Sequence, residues 1–483
     1  MASTKKGLTA RIAAGTGALA LASLVALGGA LPASAAPNID GSAAASLTIH
    51  KFEQPVTAGE VGTGLELDDA ALTGLVAVAG VEFTVTQLTS LSVLDNDTWA
   101  QLGAGLDGPA VVDNLGDYTL GTPRVESTDG NGEIELTGLP VGVYLVQESG
   151  VPAPTVGGPN VVIQTAPFLV VLPQVNETTG DWFYDVHVYP KNTTTLATKS
   201  VATPDHQVLG TTVEWTIGSN APVPSQDTQL RTYAVQDDLA AELDYVEGSL
   251  EVRVAGDLLT LDEDYAVSSP AGAGGTLAVT FTETGRAALL ASPGAAVTVT
   301  FDTVVVGIGS GTIANTGAIV VNGTSVPTTT ATDFWGAVEL FKHDSSDRGL
   351  EGAVFELRDA SGTAVLDSEG DVVRYTSDED GMIAISGLRT ASPAGLGYQL
   401  VEITAPAGYV LPTDPADRVH AFTVVAGTPA GVEVSVENEQ APAYALPITG
   451  GSGQAAFMIG GFGLLAGAMG FALLRRRKAQ QDA

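Results

Sequence analysis

The chain has 483 residues, with 55 acidic side chains against 20 basic ones and no cysteine. A net charge of −35 sets it against nucleic acid and anionic lipid as partners. The missing cysteines remove disulfide bracing and a thiol nucleophile, and 58 glycines with 25 prolines favour short strands and tight turns over helices.

Residues 1–36 run from a basic start (Lys5, Lys6, Arg11) through an apolar stretch to "LPASAAP", with Ala33 and Ala35 suited to cleavage. That is the layout of a secretory signal peptide. Setting aside this segment and everything after Thr449 removes seven basic residues and one acidic one, and leaves a net charge near −41. The expectation is an exported, self-repelling chain whose covalent bracing, if it has any, comes from something other than disulfides.

From residue 37 onward the pattern predicts an all-β chain. "VEFTVTQL", "TVEWTI", "AAVTVTFDTVVVGI", "AVFELRD" and "GVEVSVEN" alternate apolar and polar residues with a period of two. "GEIELTGLPVGVYLVQES" (132–149) is echoed by "GMIAISGLRTASPAGLGYQLVEIT" (381–404), and "TTTLATKS" and "TTTATDFWGAVELFKH" each read as a linker followed by an opening strand. Boundaries near 192 and 333 give three β-sandwich domains: 37–192, 193–333 and 334–441.

Between the two terminal segments lie only four lysines: Lys51, Lys191, Lys199 and Lys342. Residues two apart on a strand share a face. By that count Lys51 lies with Leu47 and Ile49, Lys199 with Ala197 and Val201, and Lys342 with Val338 and Leu340. A buried, unpaired ammonium is very costly, so burial drives such an amine towards its neutral, nucleophilic form. The same count turns Asn192, Asn315 and Asn438 inward late in each domain, and Glu148, Asp237 and Glu402 inward between them. Lys191 instead shares the face of His187 and Tyr189 and points outward.

The acidic runs at 94–98, 261–265 and 377–381 lack full calcium-ligand spacing and read as solvated turns, so no cofactor is expected. The five histidines are scattered without metal spacing, and no GxSxG elbow supports a secreted hydrolase. The chain closes with "LPITG" (Leu446, Pro447, Ile448, Thr449, Gly450), 20 uncharged residues from Ala455 to Leu474, and "RRRK". Twenty helical residues span roughly 30 Å, a bilayer core, with the arginines on the cytoplasmic side. Pentapeptide, apolar helix and basic tail in that order resemble the cell-wall sorting signal of Gram-positive surface proteins.

"WFYDVHVYPKN" (182–192) resembles the pilin motif, and "YQLVEITAPAGYV" (398–410) the E-box, of Gram-positive shaft pilins. Ile403 stands where that box usually has Thr, and "VYLVQES" around Glu148 is a degenerate copy. The resemblance covers essentially the whole chain. It implies Cna-B-type, immunoglobulin-like domains with internal isopeptide bonds: Lys51–Asn192 assisted by Glu148, Lys199–Asn315 by Asp237, and Lys342–Asn438 by Glu402. It implies no turnover enzyme, only one self-limited condensation per domain, in which the carboxyl binds the amide oxygen and relays protons. It also implies a pilin-specific sortase that cleaves after Thr449 and joins it to Lys191 of another copy. The remaining implied partners are a housekeeping sortase, accessory tip or base pilins, peptidoglycan, and an unidentified host or bacterial receptor. The competing reading is a wall-anchored adhesin whose domains form a stalk without polymerising.

Overall fold

The computed structural model describes residues 38–57, 59, 61–225, 229–427, 432–443 and 452–479, with the backbone alone at 432, 433, 452–457 and 472–479. The leader expected over 1–36 and the motif at 446–450 lie outside the described residues. Three β cores follow one another along the chain.

In the first core, Leu47, Ile49, Leu136 and Val186 from one sheet face Phe83, Val85, Tyr144 and Val146 from the other. One sheet orders Asp185–Val188, Ala44–His50 and Glu133–Pro140; the other orders Arg124–Ser127, Glu82–Gln87, Gly142–Gly150 and Phe168–Leu172. The opening strand Ala44–His50 and the late strand Asp185–Val188 run parallel as neighbours, with Leu47 opposite Val186. Chain entry and exit are therefore side by side. Beyond Pro190 the pairing switches partner, and Lys191–Thr195 lies between Phe52–Glu53 (parallel) and Asn160–Ile163 (antiparallel).

Composition favoured strands over helices, yet short helices do occur at Asn96–Gly103, Gly108–Asp113 and Glu283–Ala291. Each starts from a side-chain cap: Asp95, Asp107 and Thr282 accept from backbone N–H groups of the first turn. The acidic run at 94–98 is thereby a helix start, and the run at 377–381 a turn in which Asp378 caps Asp380 and Met382.

The second core packs the sheet holding Ala197–Val201, Thr212–Asn220 and Ala296–Val305 against one holding Tyr233–Leu239, Gly275–Phe281 and Thr312–Val321. Trp215, Phe301 and Tyr233 are among its fully buried side chains. The third packs Ala331–His343 and Met382–Thr390 against Val354–Asp359, Leu396–Thr404 and Val419–Val424.

The boundary near 333 is not a linker. Strand Ala331–His343 pairs first with Thr312–Val321 and then with Met382–Thr390, so one eight-stranded sheet crosses the boundary. Asp333, buried at that crossing, accepts from Arg389 Nε and Trp335 Nε1, both at 2.7 Å, so its charge is paired. Tyr398 of the third core also donates to Gln207 Oε1 at 2.8 Å. The boundary near 192 differs: Lys191–Thr195 ends and Ala197–Val201 begins across exposed Leu196.

Ser452–Ala479 forms one helix, exposed along residues 458–471. Among the described residues no helix is long and apolar enough to cross a membrane, so the span expected over 455–474 is not shown.

Candidate functional site

Each core buries one lysine beside one carboxylate. Lys51 interrupts the first strand's ladder between Ala44–His50 and Phe52–Glu53, and its side chain is fully buried over the Phe83 ring. Its Nζ is 3.0 Å from Glu148 Oε2 and donates to Thr165 Oγ1 at 2.6 Å. Asn192, fully buried, donates from Nδ2 to Glu148 Oε1 at 2.7 Å. Its Oδ1 accepts from the backbone N–H of Thr165 at 2.9 Å and from that residue's hydroxyl at 3.2 Å. A backbone N–H can only donate, so the oxygen must face Thr165 and the nitrogen Glu148.

In the third core, Lys342 lies on the strand parallel to Val432–Glu437, and Asn438 follows that strand directly. Lys342 Nζ contacts Asn438 Oδ1 and lies 3.9 Å from Glu402 Oε1. Asn438 Nδ2 donates to Glu402 Oε1 and to the Val410 carbonyl, each at 3.0 Å. Glu402 Oε2 has no hydrogen-bond partner among the described residues.

The second core is built differently. Lys199 Nζ contacts Asp237 Oδ2 and sits between the rings of Trp215 and Phe301, 5.4 and 5.2 Å from their centroids. Asn315, fully buried, has no hydrogen-bond partner for either side-chain atom among the described residues. Lys199 pairs with Ile217 in one sheet, while Asn315 lies on the strand that pairs Gly317 with Asp237 in the other. A Cβ at Gly317 would stand 2.6 Å from the Gln236 carbonyl oxygen and 3.3 Å from Asp237 Oδ2, so only glycine keeps this corner open. A bond here would cross the sandwich rather than join neighbouring strands.

Burial pushes the Lys51 and Lys342 amines down to about 8 and Lys199 to about 7, and raises Glu402 above the usual carboxylate range. Lys191 is less exposed than its outward parity suggested. It is half-buried, donates to the Tyr189 carbonyl at 3.2 Å, and partial burial lowers its pKa. Beside it, Tyr189 and His187 stack on His50, with centroids 4.7 and 5.2 Å apart.

Residues 42–193 match the family described as Gram-positive pilin subunit D1, N-terminal domain, and residues 336–440 match the prealbumin-like fold domain. Over 98% of each chain, the sequence is 30% identical to fimbrial subunit type 2 of Actinomyces naeslundii. It belongs to the Gram-positive fimbrial subunit family. Fimbrial subunit type 1 of Actinomyces viscosus is likewise 30% identical, across 98% of this pilin and 97% of that relative. The full-length major pilin SpaD of Corynebacterium diphtheriae superposes with a TM-score of 0.67 at 28% identity, covering 84% of this pilin and 99% of SpaD. The pilin is thus a structural subunit of a cell-surface fimbria.

In chemical terms the first and third clusters can place a neutral amine against a primary amide beside a proton-relaying carboxyl, while in the second no hydrogen bond joins Lys199 to Asn315 among the described residues. The carboxylates do not sit where the E-box reading put them. Glu148 and Glu402 hydrogen-bond the amide nitrogen, the atom that would leave, and not the oxygen. Thr165 carries no motif and was invisible in the sequence; nothing in "QTAP" marks it. An unjoined Lys342 has a measurable signature. In Asn438→Ala the amine stays free, so the folded chain sheds its proton near pH 8 while the unfolded chain keeps it up to about 10.5. Stability of the variant should therefore climb with pH across that window, from about 8 to about 10.5. A denaturation series showing no such climb would place Lys342 outside the core.

Proposed function

We propose that this pilin is the repeating shaft subunit of a covalent fibre, in which a sortase joins Thr449 of one copy to Lys191 of the next. One observation carries this reading. Of the four lysines between residues 37 and 449, three are buried against carboxylates and only Lys191 has an accessible side chain. An acyl-enzyme attached to Thr449 needs an amine that can enter its cleft, and a core lysine cannot.

The buried lysines serve the inside of the subunit. Taking two charges out of water costs several kcal/mol per ion, and an imperfectly paired ion pair does not recover that. Condensation with the asparagine removes the charge and leaves an amide, with ammonia as the other product. We assign Lys51–Asn192, Lys199–Asn315 and Lys342–Asn438 to this chemistry, with Glu148, Asp237 and Glu402 relaying protons. Folding supplies the acceleration by holding the groups together in a dry core. In the first and third domains the bond ties parallel neighbouring strands, so a pull on the chain ends loads a covalent link.

The two terminal segments support export and anchoring: the leader at one end, and LPITG, apolar segment and arginines at the other. A housekeeping sortase would finally transfer the fibre to peptidoglycan, with accessory pilins at tip or base. Cell-wall extract boiled in detergent and blotted with antibody against the pilin should show a ladder. Deleting 446–450 should abolish the ladder and leave monomer in the membrane or the medium. A ladder unchanged by the deletion would refute the sorting assignment.

A further inference from the structure

We propose that Thr165 is a catalytic residue of the first domain's Lys51–Asn192 condensation, stabilising the oxyanion on Asn192 Oδ1; this rests on the internal-bond reading above. Thr165 sits just past strand Asn160–Ile163, whose Ile163 pairs antiparallel with Thr193. That register carries residue 165 back alongside Lys191 and Asn192, where its hydroxyl reaches the Lys191 carbonyl at 2.8 Å. The same hydroxyl oxygen takes the hydrogen bond from Lys51 Nζ. The residue's N–H points at Asn192 Oδ1 at 2.9 Å, shared with Glu148 Oε2 at 3.1 Å, and the one hydroxyl proton can turn from the Lys191 carbonyl to Oδ1, 3.2 Å away. One residue thus touches the nucleophile and the oxygen of the electrophile.

The step balances without an outside reagent. The lone pair of neutral Lys51 Nζ attacks Asn192 Cγ, and the carbonyl pair moves onto Oδ1, where the Thr165 N–H already points and the hydroxyl proton turns from the Lys191 carbonyl as charge develops. A hydroxyl has one proton to donate and two lone pairs, so Thr165 can accept from the amine while donating to the amide oxygen. The surplus proton on Nζ passes to Glu148 Oε2, 3.0 Å away. The carboxyl returns a proton from Oε1 to Asn192 Nδ2, 2.7 Å away. The C–N bond then breaks with its electron pair on nitrogen, ammonia leaves, and Oδ1 returns to a carbonyl. Donors set in advance at the developing charge lower the barrier most in a water-excluded site. The third domain is built without such a pair. Among the described residues Asn438 Oδ1 is met by the Lys342 amine, with no hydroxyl or backbone N–H aimed at it.

The test follows loop closure in newly made chain. Full-length pilin from cell-free synthesis is sampled into denaturant over time, and loop-closed and open chains are separated by gel mobility. Peptide mass spectrometry identifies each cross-link. Thr165→Val keeps shape and backbone N–H but loses the hydroxyl, and should slow Lys51–Asn192 closure on the order of 10²-fold, the scale of losing one oxyanion donor. Thr165→Ser should restore it, and closure of Lys342–Asn438 in the same chains should run at the wild-type rate. Wild-type closure in Thr165→Val overturns the Thr165 role alone. A wild-type chain that forms the 342–438 bond but never the 51–192 bond overturns the first-domain reading as well. If Thr165→Val leaves residues 38–193 protease-sensitive before closure, Thr165→Ser decides: wild-type closure supports the hydroxyl, and loss overturns it.

Discussion

Replacing Lys191 by alanine is expected to collapse the covalent ladder to a single band while leaving a folded, wall-attached monomer. The fold should survive because the backbone around residue 191 stays paired: Phe52 N–H donates to the Pro190 carbonyl, and Gln54 N–H to that of Asn192. The side chain's own bond, to the Tyr189 carbonyl, can be replaced by water. Substitutions that disturb neither a core nor a cap usually move stability by no more than about 0.5 kcal/mol. Polymerisation has no such tolerance, since Lys51, Lys199 and Lys342 are buried and cannot substitute. Lys191→Arg sharpens the test, because it keeps the charge but offers a guanidinium that is not deprotonated and makes a poor nucleophile. Both variants should give monomer on an immunoblot of boiled wall extract, with circular dichroism matching wild type. A ladder persisting in either variant would remove Lys191 from the linkage.

Glu402→Ala should strongly destabilise the third domain. Lys342 and Asn438 would remain neighbours, and Asn438 would keep its bond to the Val410 carbonyl, but no group would remain to move a proton to the leaving nitrogen. The two residues proposed to join are 96 positions apart. Opening a loop of that size releases unfolded-chain entropy worth about 4–5 kcal/mol in the loop-closure picture. Measured against the mass expected from its own sequence, the variant should retain one ammonia that wild type has lost, melt well below wild type, and become sensitive to protease within 336–440. Glu402→Gln, close in shape but unable to relay a proton, should retain the same ammonia. Loss of that ammonia in both variants, as in wild type, would take Glu402 out of the chemistry.

Much of this was written in the period of the strands. Because side chains alternate strictly between two faces, the spacings of Lys51 from Leu47 and Ile49, and of Lys342 from Val338 and Leu340, were enough to put both lysines in the core. Asp237, Asn315, Glu402 and Asn438 follow from the same count, and all four are buried. The short helices were less legible, since capping by Asp95, Asp107 and Thr282 is local and weak against the β-rich composition around them. Parity also overstated how far Lys191 stands out. It names a face but not what covers it, and here the Tyr189 carbonyl and the packing around it hold the amine half-buried.

What the sequence determined alone is the part carried by residue type and period: an all-β chain, buried amines beside acids, and a terminal sorting pattern. The tertiary structure decided what depends on segments remote in the chain meeting. It carried strand Ala331–His343 unbroken through an expected linker, because both neighbouring sheets hydrogen-bond to it. It set Lys199 and Asn315 in opposing sheets, and it turned the nitrogens of Asn192 and Asn438 towards their carboxylates. Thr165 shows the limit most clearly. It stands 114 residues from Lys51 and 27 from Asn192, and strand periodicity has no term linking them. Only the antiparallel register of Asn160–Ile163 against Lys191–Thr195 brings its hydroxyl and N–H to the reacting atoms.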